Sequence, residues 1–200
     1  MSRRVLIVTP YFPPANGADS HRVRVTIPFF QEFGWKPEVL AVNPEALAVP
    51  KDQWLLNGIP SNIPVHHCSA ISLNWSWVPG LGTIDLRAGI SIKRMGDNLL
   101  QSGQFDLVYF STTTFSFTMC GQRWKRKFGV PYVVDYQDPW VTDYYAKHPE
   151  VTPPGGRFKY SIVNRIARQR EPAVINACDG ITSVSPAYPE DLATLSLIHI

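Results

Sequence analysis

The sequence predicts an α/β domain built on a doubly wound parallel sheet, and three observations carry that expectation. Short apolar runs recur at residues 5–8, 38–42, 64–68, 105–110, 131–135 and 180–184. Between most of them apolar residues fall at helical spacing, the β-α alternation that builds parallel sheets. The first run, Val5-Leu-Ile-Val8, has no polar alternation, as expected of a strand buried on both faces. With 200 residues, 44% hydrophobic and 18% charged, the chain has material for one sizeable core.

Each element follows from its residues. After the first strand, Val23, Ile27, Phe30 and Phe33 share one helical face, with Ser20 as a candidate N-cap and Gly34 as the C-terminal stop. Pro28 inside that pattern predicts a kink or a later start. Residues 38–42 and 64–68 form the second and third strands. The intervals 43–63 and 69–85 read as loops, the second holding Trp75, Trp77, Pro79, Gly80 and Gly82. Residues 86–100 form a helix and 105–110 a strand. Phe117, Cys120, Trp124 and Phe128 mark a further helix closed by Gly129, and strand 131–135 follows. Residues 141–156, with Pro149, Pro153 and Pro154, read as a loop. Phe158, Ile162 and Ile166 open a long helix that Pro172 bends or restarts, and 180–184 is the last clear strand. A new helix is under way near residue 192. The closing Leu195-Ser-Leu-Ile-His-Ile200 is expected to be a truncation or read-through tail on a domain of residues 1–195.

The chemical balance excludes several classes. A net charge of +3 is too weak to call for a nucleic-acid partner. Cys68, Cys120 and Cys178 are far apart and lack metal-ligand or disulfide-framework spacing, so reduced thiols and no metal site are expected. The short apolar run behind Arg3 and Arg4 falls far short of a signal peptide, and no stretch approaches the ~18 apolar residues of a membrane span. The expected location is the cytoplasm.

Parallel sheets bind ligands beyond the carboxyl ends of their strands, so three segments need reading. They are Pro10-Tyr-Phe-Pro-Pro-Ala-Asn-Gly-Ala-Asp-Ser-His-Arg22, Ser111-Thr-Thr-Thr114 and Asp135-Tyr-Gln-Asp-Pro-Trp140. Together they bring a helix N-terminus, hydroxyls, the Asp135 and Asp138 carboxylates and an arginine to one rim. The single Gly17 is not the triple-glycine turn of dinucleotide enzymes. Asp135 and Asp138 suit general base work or the orientation of hydroxyls. The alternative is that Asp138 caps a turn and pairs with Arg22 or a backbone amide.

These segments resemble the N-terminal domain of GT-B glycosyltransferases, in the family 4-like group. The resemblance rests on Tyr11-Phe-Pro-Pro14, Gly17, Arg22, the Gly34-Trp35 turn and the Val39-Leu-Ala-Val42 strand. Asp135-Tyr-Gln-Asp-Pro-Trp140 stands for the group's D-x-x-D-P-W. Ala177-Cys-Asp-Gly-Ile-Thr-Ser-Val-Ser185 stands for its A-D-x-x-x-x-V-S, with one inserted residue. The resemblance spans about residues 3–195 and implies a Rossmann-like, acceptor-side half whose donor-binding domain lies outside this chain. It implies transfer of a sugar from a nucleotide-diphosphate sugar to a glycan or lipid-linked acceptor, with retention and without a metal or other cofactor. Cell-surface glycan synthesis is the implied setting. Asp138 and Asp135 become the catalytic candidates, Gly17 and Arg22 the diphosphate-binding ones, and His21, Ser111, Thr112 and Trp140 the acceptor-binding ones. Two positions depart from the group: Gln137 replaces an arginine, and the Ser111 segment replaces a histidine. The alternative function is a non-catalytic Rossmann-like nucleotide-binding or regulatory domain. Such a half alone is expected to be inactive.

Arg123-Trp-Lys-Arg-Lys127 places four cations on one helix. They suit either a solvated face or peripheral contact with anionic lipid at the inner face of the membrane. Trp75 and Trp77 suit core packing, sugar stacking or an interface.

Overall fold

A computed structural model describes residues 2–78, 81–153 and 155–195. In chain order the elements are β1 (Arg3–Val8), α1 (Ala18–Glu32), β2 (Trp35–Val42), β3 (Val65–Cys68), α2 (Ile84–Gln101) and β4 (Leu107–Ser111). There follow α3 (Met119–Phe128), β5 (Tyr132–Tyr136), the single turn α4 (Tyr144–Lys147), α5 (Gly156–Ala177), β6 (Gly180–Ser183) and α6 (Ala187–Leu195). All six strands pair in parallel, in the order β3-β2-β1-β4-β5-β6. This is the doubly wound, Rossmann-like arrangement the apolar runs predict, and its strand order reverses between β1 and β4.

β1 lies at the centre, and its alternating side chains feed two cores. Val5 and Ile7 pack with Val39, Ala41 and the α1 residues Val23 and Ile27. Leu6 and Val8 pack with Leu40, Val42, Phe110 and the residues of α2 and α3. All four β1 side chains are buried completely, each contributing about 1.5–3 kcal/mol of transfer free energy. On the second face Trp124 packs against Gly96 of α2, stacks on Phe110 at 5.8 Å and donates to Asp97 at 2.8 Å. A Cβ at Gly96 would overlap that indole, so the glycine permits the close approach of α2 and α3.

Several local expectations are corrected. Gly17, not Ser20, is the N-cap of α1; Ser20 sits inside the helix, its hydroxyl donating to Gly17 O at 2.7 Å. α1 starts at Ala18 and runs through Pro28, and α5 runs through Pro172 without a restart, because burial of flanking residues outweighs the single helix hydrogen bond each proline forgoes. Phe33 is 79% exposed, since the left-handed Gly34 turn (φ 79°) ends the helix before that residue reaches the sheet. The loop expected at 141–156 contains α4. Phe158, Ile162 and Ile166 do open a long helix, α5, on a face that is about half or more exposed. Pro79, Gly80, Pro154 and residues 196–200 of the expected tail lie outside the described residues. The three cysteines are free, and burial pushes the Cys68 thiol up to about 11.

Candidate functional site at the strand-order reversal

The carboxyl ends of β1 and β4 adjoin where the strand order reverses, the position at which open parallel sheets bind their ligands. The proline-stiffened loop after β1 is held in place by backbone bonds to the chain near residue 51. Asn16 N donates to Pro50 O and Asp52 N to Pro14 O, each at 2.8 Å. The loop delivers Gly17 to the start of α1 in extended conformation (φ −111°), so no left-handed turn demands a glycine here. A Cβ at Gly17 would lie 2.8 Å from the Tyr11 ring, and that packing is what keeps the position bare.

The first two turns of α1 are stitched to the neighbouring strands by two carboxylates. Asp19 is buried and accepts from Thr112 Oγ1 at 2.8 Å, Thr113 Oγ1 at 2.7 Å and Thr113 N at 3.1 Å. Burial raises its pKa, the threonine hydrogen bonds oppose the rise, and the negative charge of Asp138 adds to it. One turn on, the Arg22 guanidinium forks onto Asp135, with Nε–Oδ2 at 2.8 Å and Nη2–Oδ1 at 2.9 Å. Asp135 is fully buried and also accepts from Ser111 Oγ (3.0 Å), Gln137 Nε2 (3.2 Å) and Thr182 Oγ1 (2.9 Å). Hydrogen bonding to Asp135 raises the Arg22 pKa, keeping the guanidinium charged. Burial pushes the neighbouring Tyr109 hydroxyl up to about 12.

The sequence-read residues therefore separate by role. Asp135, Ser111 and Arg22 form one cluster, and Thr112 joins Asp19 in a second. Both of Asp135's oxygens are committed, whereas Asp138 is exposed and has no hydrogen bond among the described residues. His21 is exposed and pairs with Asn16 Oδ1 at 2.9 Å. The Trp140 ring stacks on Phe115 at 5.5 Å, and the Trp140 backbone N–H donates to the Tyr136 hydroxyl at 3.2 Å. That hydroxyl in turn donates to the buried Glu171 of α5. Burial pushes Glu171 up to about 7, against a backbone hydrogen bond from Val141. Asp19, Thr113, Thr182 and Glu171 were not singled out from sequence. Only Asp19 carried a local signal, an acid in the first turn of a helix.

Among the described residues no group of three His, Cys, Asp or Glu side chains is arranged to hold a metal ion, and no helix is long and apolar enough to cross a membrane. Three of the four α3 cations are ion-paired within the chain: Arg123 and Lys127 with Asp97, and Lys125 with Asp179. Trp75 and Trp77 stack on each other at 6.3 Å, 55% and 76% exposed, so neither joins the core.

No family model matches this sequence, and no curated protein does. Solved structures do match in fold. Phytolacca americana UGT2, complexed with UDP-2-fluoroglucose and pterostilbene, is similar over 96% of this chain and 50% of its own, with a TM-score of 0.59 and 13% identity. Anabaena Alr3699/HepE, in complex with UDP-glucose, is similar over 96% of this chain and 40% of its own, with a TM-score of 0.56 and 12% identity. The chain thus spans half or less of the proteins it matches. The class these likenesses define is a fold: a Rossmann-like α/β domain matching the structures of GT-B glycosyltransferases.

Proposed function

We propose that the chain is the acceptor-side half of a GT-B glycosyltransferase, moving a sugar from a nucleotide-diphosphate donor to an acceptor hydroxyl in cell-surface glycan synthesis. The observation that carries this reading is the division of labour among the carboxylates at the crevice. Asp135 and Asp19 are spent on holding the rim together, and Asp138 stands exposed on it with no partner among the described residues. The likeness to two structures that hold UDP-sugars supports a nucleotide sugar as the donor.

In this reading Asp138 accepts the proton of the acceptor hydroxyl as that oxygen bonds to the anomeric carbon on the face from which the diphosphate departs, so the configuration is retained. The bond from that carbon to the diphosphate oxygen breaks, and the nucleotide leaves with its electron pair. The first turn of α1, entered at Gly17, offers its N–H groups to the diphosphate, and Arg22, its side chain 34% exposed, adds positive charge. His21 and the Trp140 ring flank the acceptor. Ser111 and Thr112 act one step back, fixing Asp135 and Asp19. A second domain completes the donor site, and the reaction takes place in the cytoplasm, with lipid-linked acceptors met at the inner face of the membrane. A second reading, a binding module without catalysis, draws on the mutual neutralisation of Arg22 and Asp135.

The test is a transfer assay with a panel of sugar nucleotides and with glycan and lipid-linked acceptors. It compares this chain alone with the chain joined to the rest of its reading frame. The joined form should turn over and the 200-residue chain should not, because the reacting groups gain about 7–11 kcal/mol from fixed mutual placement. Turnover by the chain alone at about 1–10³ per second would overturn the two-domain reading.

A further inference from the structure

Among the described residues, the first half of α5 is an amphipathic surface that buries none of its apolar side chains. Residues 156–166 include no buried residue, yet they carry Phe158, Ile162, Val163 and Ile166. Phe158 is 81% exposed and the other three about half, at 47%, 54% and 51%. Only the second half of the helix reaches the sheet, through Ala167, Glu171, Val174 and Ile175. At about 100° per residue, Phe158, Ile162 and Ile166 form one row on the side opposite Ala167 and Glu171. Lys159 and Arg170 flank that row on one side and Arg165 on the other. None of these three cations has an ion pair or hydrogen bond among the described residues. Residues 156–170 contain no acid. The contrast with α3 is sharp, since most of its cations are neutralised by Asp97 and Asp179.

We propose that this half of α5 lies in the plane of an anionic lipid bilayer. Its Phe158-Ile162-Ile166 row enters the headgroup boundary, and Lys159, Arg165 and Arg170 reach back to the phosphates. An apolar row with cations on both flanks is the composition of helices that rest in a membrane interface, and long basic side chains lay their stems along apolar surface while their heads stay wet. A protein interface of this kind is depleted in lysine at its core. Charge of one sign on both flanks complements a surface of fixed negative charge. The proposal is independent of the transferase reading, because lipid binding needs neither donor nor acceptor.

The test is co-sedimentation of the 200-residue chain with vesicles of phosphatidylcholine, alone or in equimolar mixture with phosphatidylglycerol, at low and high salt. The chain should pellet with the mixed vesicles at low salt and not with the neutral ones. Lys159→Gln, Arg165→Gln and Arg170→Gln together should weaken that binding about 10²-fold, since each cation near the surface contributes about fivefold. Phe158→Ser with Ile162→Ser should abolish it. Both variants should keep the wild-type thermal midpoint, because every altered side chain is exposed. A control triple, Arg123→Gln, Arg126→Gln and Lys127→Gln, should change binding less than about fivefold. Equal pelleting of the α5 triple and wild type, loss in the α3 triple alone, or no pelleting of the wild type overturns the proposal. A concentration-dependent dimer that Phe158→Ser dissolves, without vesicle binding, would assign the row to a second copy and overturn it as well.

Discussion

Replacing Asp135 with asparagine keeps the side chain's volume and removes its charge from the most enclosed point of the site. The carboxylate is fully buried and accepts five hydrogen bonds, two from Arg22 and one each from Ser111, Gln137 and Thr182. All five partners are donors, so whichever way the asparagine amide turns, its NH₂ meets a donor. Breaking one side of a buried ion pair costs about 3–5 kcal/mol. The Arg22 side chain is 34% exposed and rehydrates in part, which places the loss at the lower end, about 3 kcal/mol. At about 2–4 °C per kcal/mol for a chain of this size, the melting midpoint should fall by about 6–12 °C. Asp138→Asn should do the reverse. Exposed and unpaired, it should shift stability by less than about 0.5 kcal/mol while cutting turnover of the joined enzyme about 10²–10⁴-fold. Urea unfolding followed by circular dichroism reads the first effect and the transfer assay the second. A wild-type midpoint for Asp135→Asn together with lost turnover would refute the division of labour, because the buried carboxylate would then be the reacting one.

Glu171 should make stability depend on pH, since its carboxyl titrates at about 7 in the fold against an ordinary 4.5. Between those values the folded chain holds the proton that the unfolded chain has lost. Stability therefore falls by about 3 kcal/mol as pH rises through that window, and stays level above it. Glu171→Gln should remove this slope, which urea unfolding of both forms at about pH 5 and about pH 8 would read; an unchanged slope would mean the group is not buried as described. Gly96→Ala should destabilise by about 1–3 kcal/mol, because overlap with the buried Trp124 exceeds the ~1 kcal/mol gained in helix propensity; a more stable variant would contradict the packing. Thr112→Val removes a donor to Asp19 and an acceptor for Thr114 N, and should cost about 1–3 kcal/mol in the same unfolding assay.

The strands were legible because a centrally buried parallel strand leaves an uninterrupted apolar run, and β1 shows one. Helix ends were legible where glycine turns left-handed: Gly34 (φ 79°) and Gly129 (φ 71°) stop α1 and α3 as the sequence implies. Periodicity at Phe158, Ile162 and Ile166 announced a helix but not its orientation. A spacing rule records that apolar residues share a face, not whether the sheet extends far enough to cover it. Pro28 and Pro172 mark neither a helix start nor a restart for a related reason, since a proline's local cost is set against packing that only the tertiary fold reveals. The rim segments could be located from the strand-end rule, but their pairings could not. Arg22 meets Asp135 across 113 positions and Asp19 meets Thr112 across 93, and nothing nearer in sequence marks either pair. Gly17 was legible as a special position, while the reason, a tyrosine ring lying against it, was not.

The central claim is that the strand-order reversal, with Asp138 on its rim, receives a nucleotide sugar and an acceptor. Titration of the isotope-labelled chain with UDP-glucose, followed by amide chemical shifts, tests it most directly. The account predicts weak, saturable binding, with the largest shifts at Gly17, Ala18 and Asp19 and further shifts at residues 138–140. Shifts clustered at the opposite edge of the sheet, around Arg4 and Trp35, or no shift at saturating nucleotide, would contradict it.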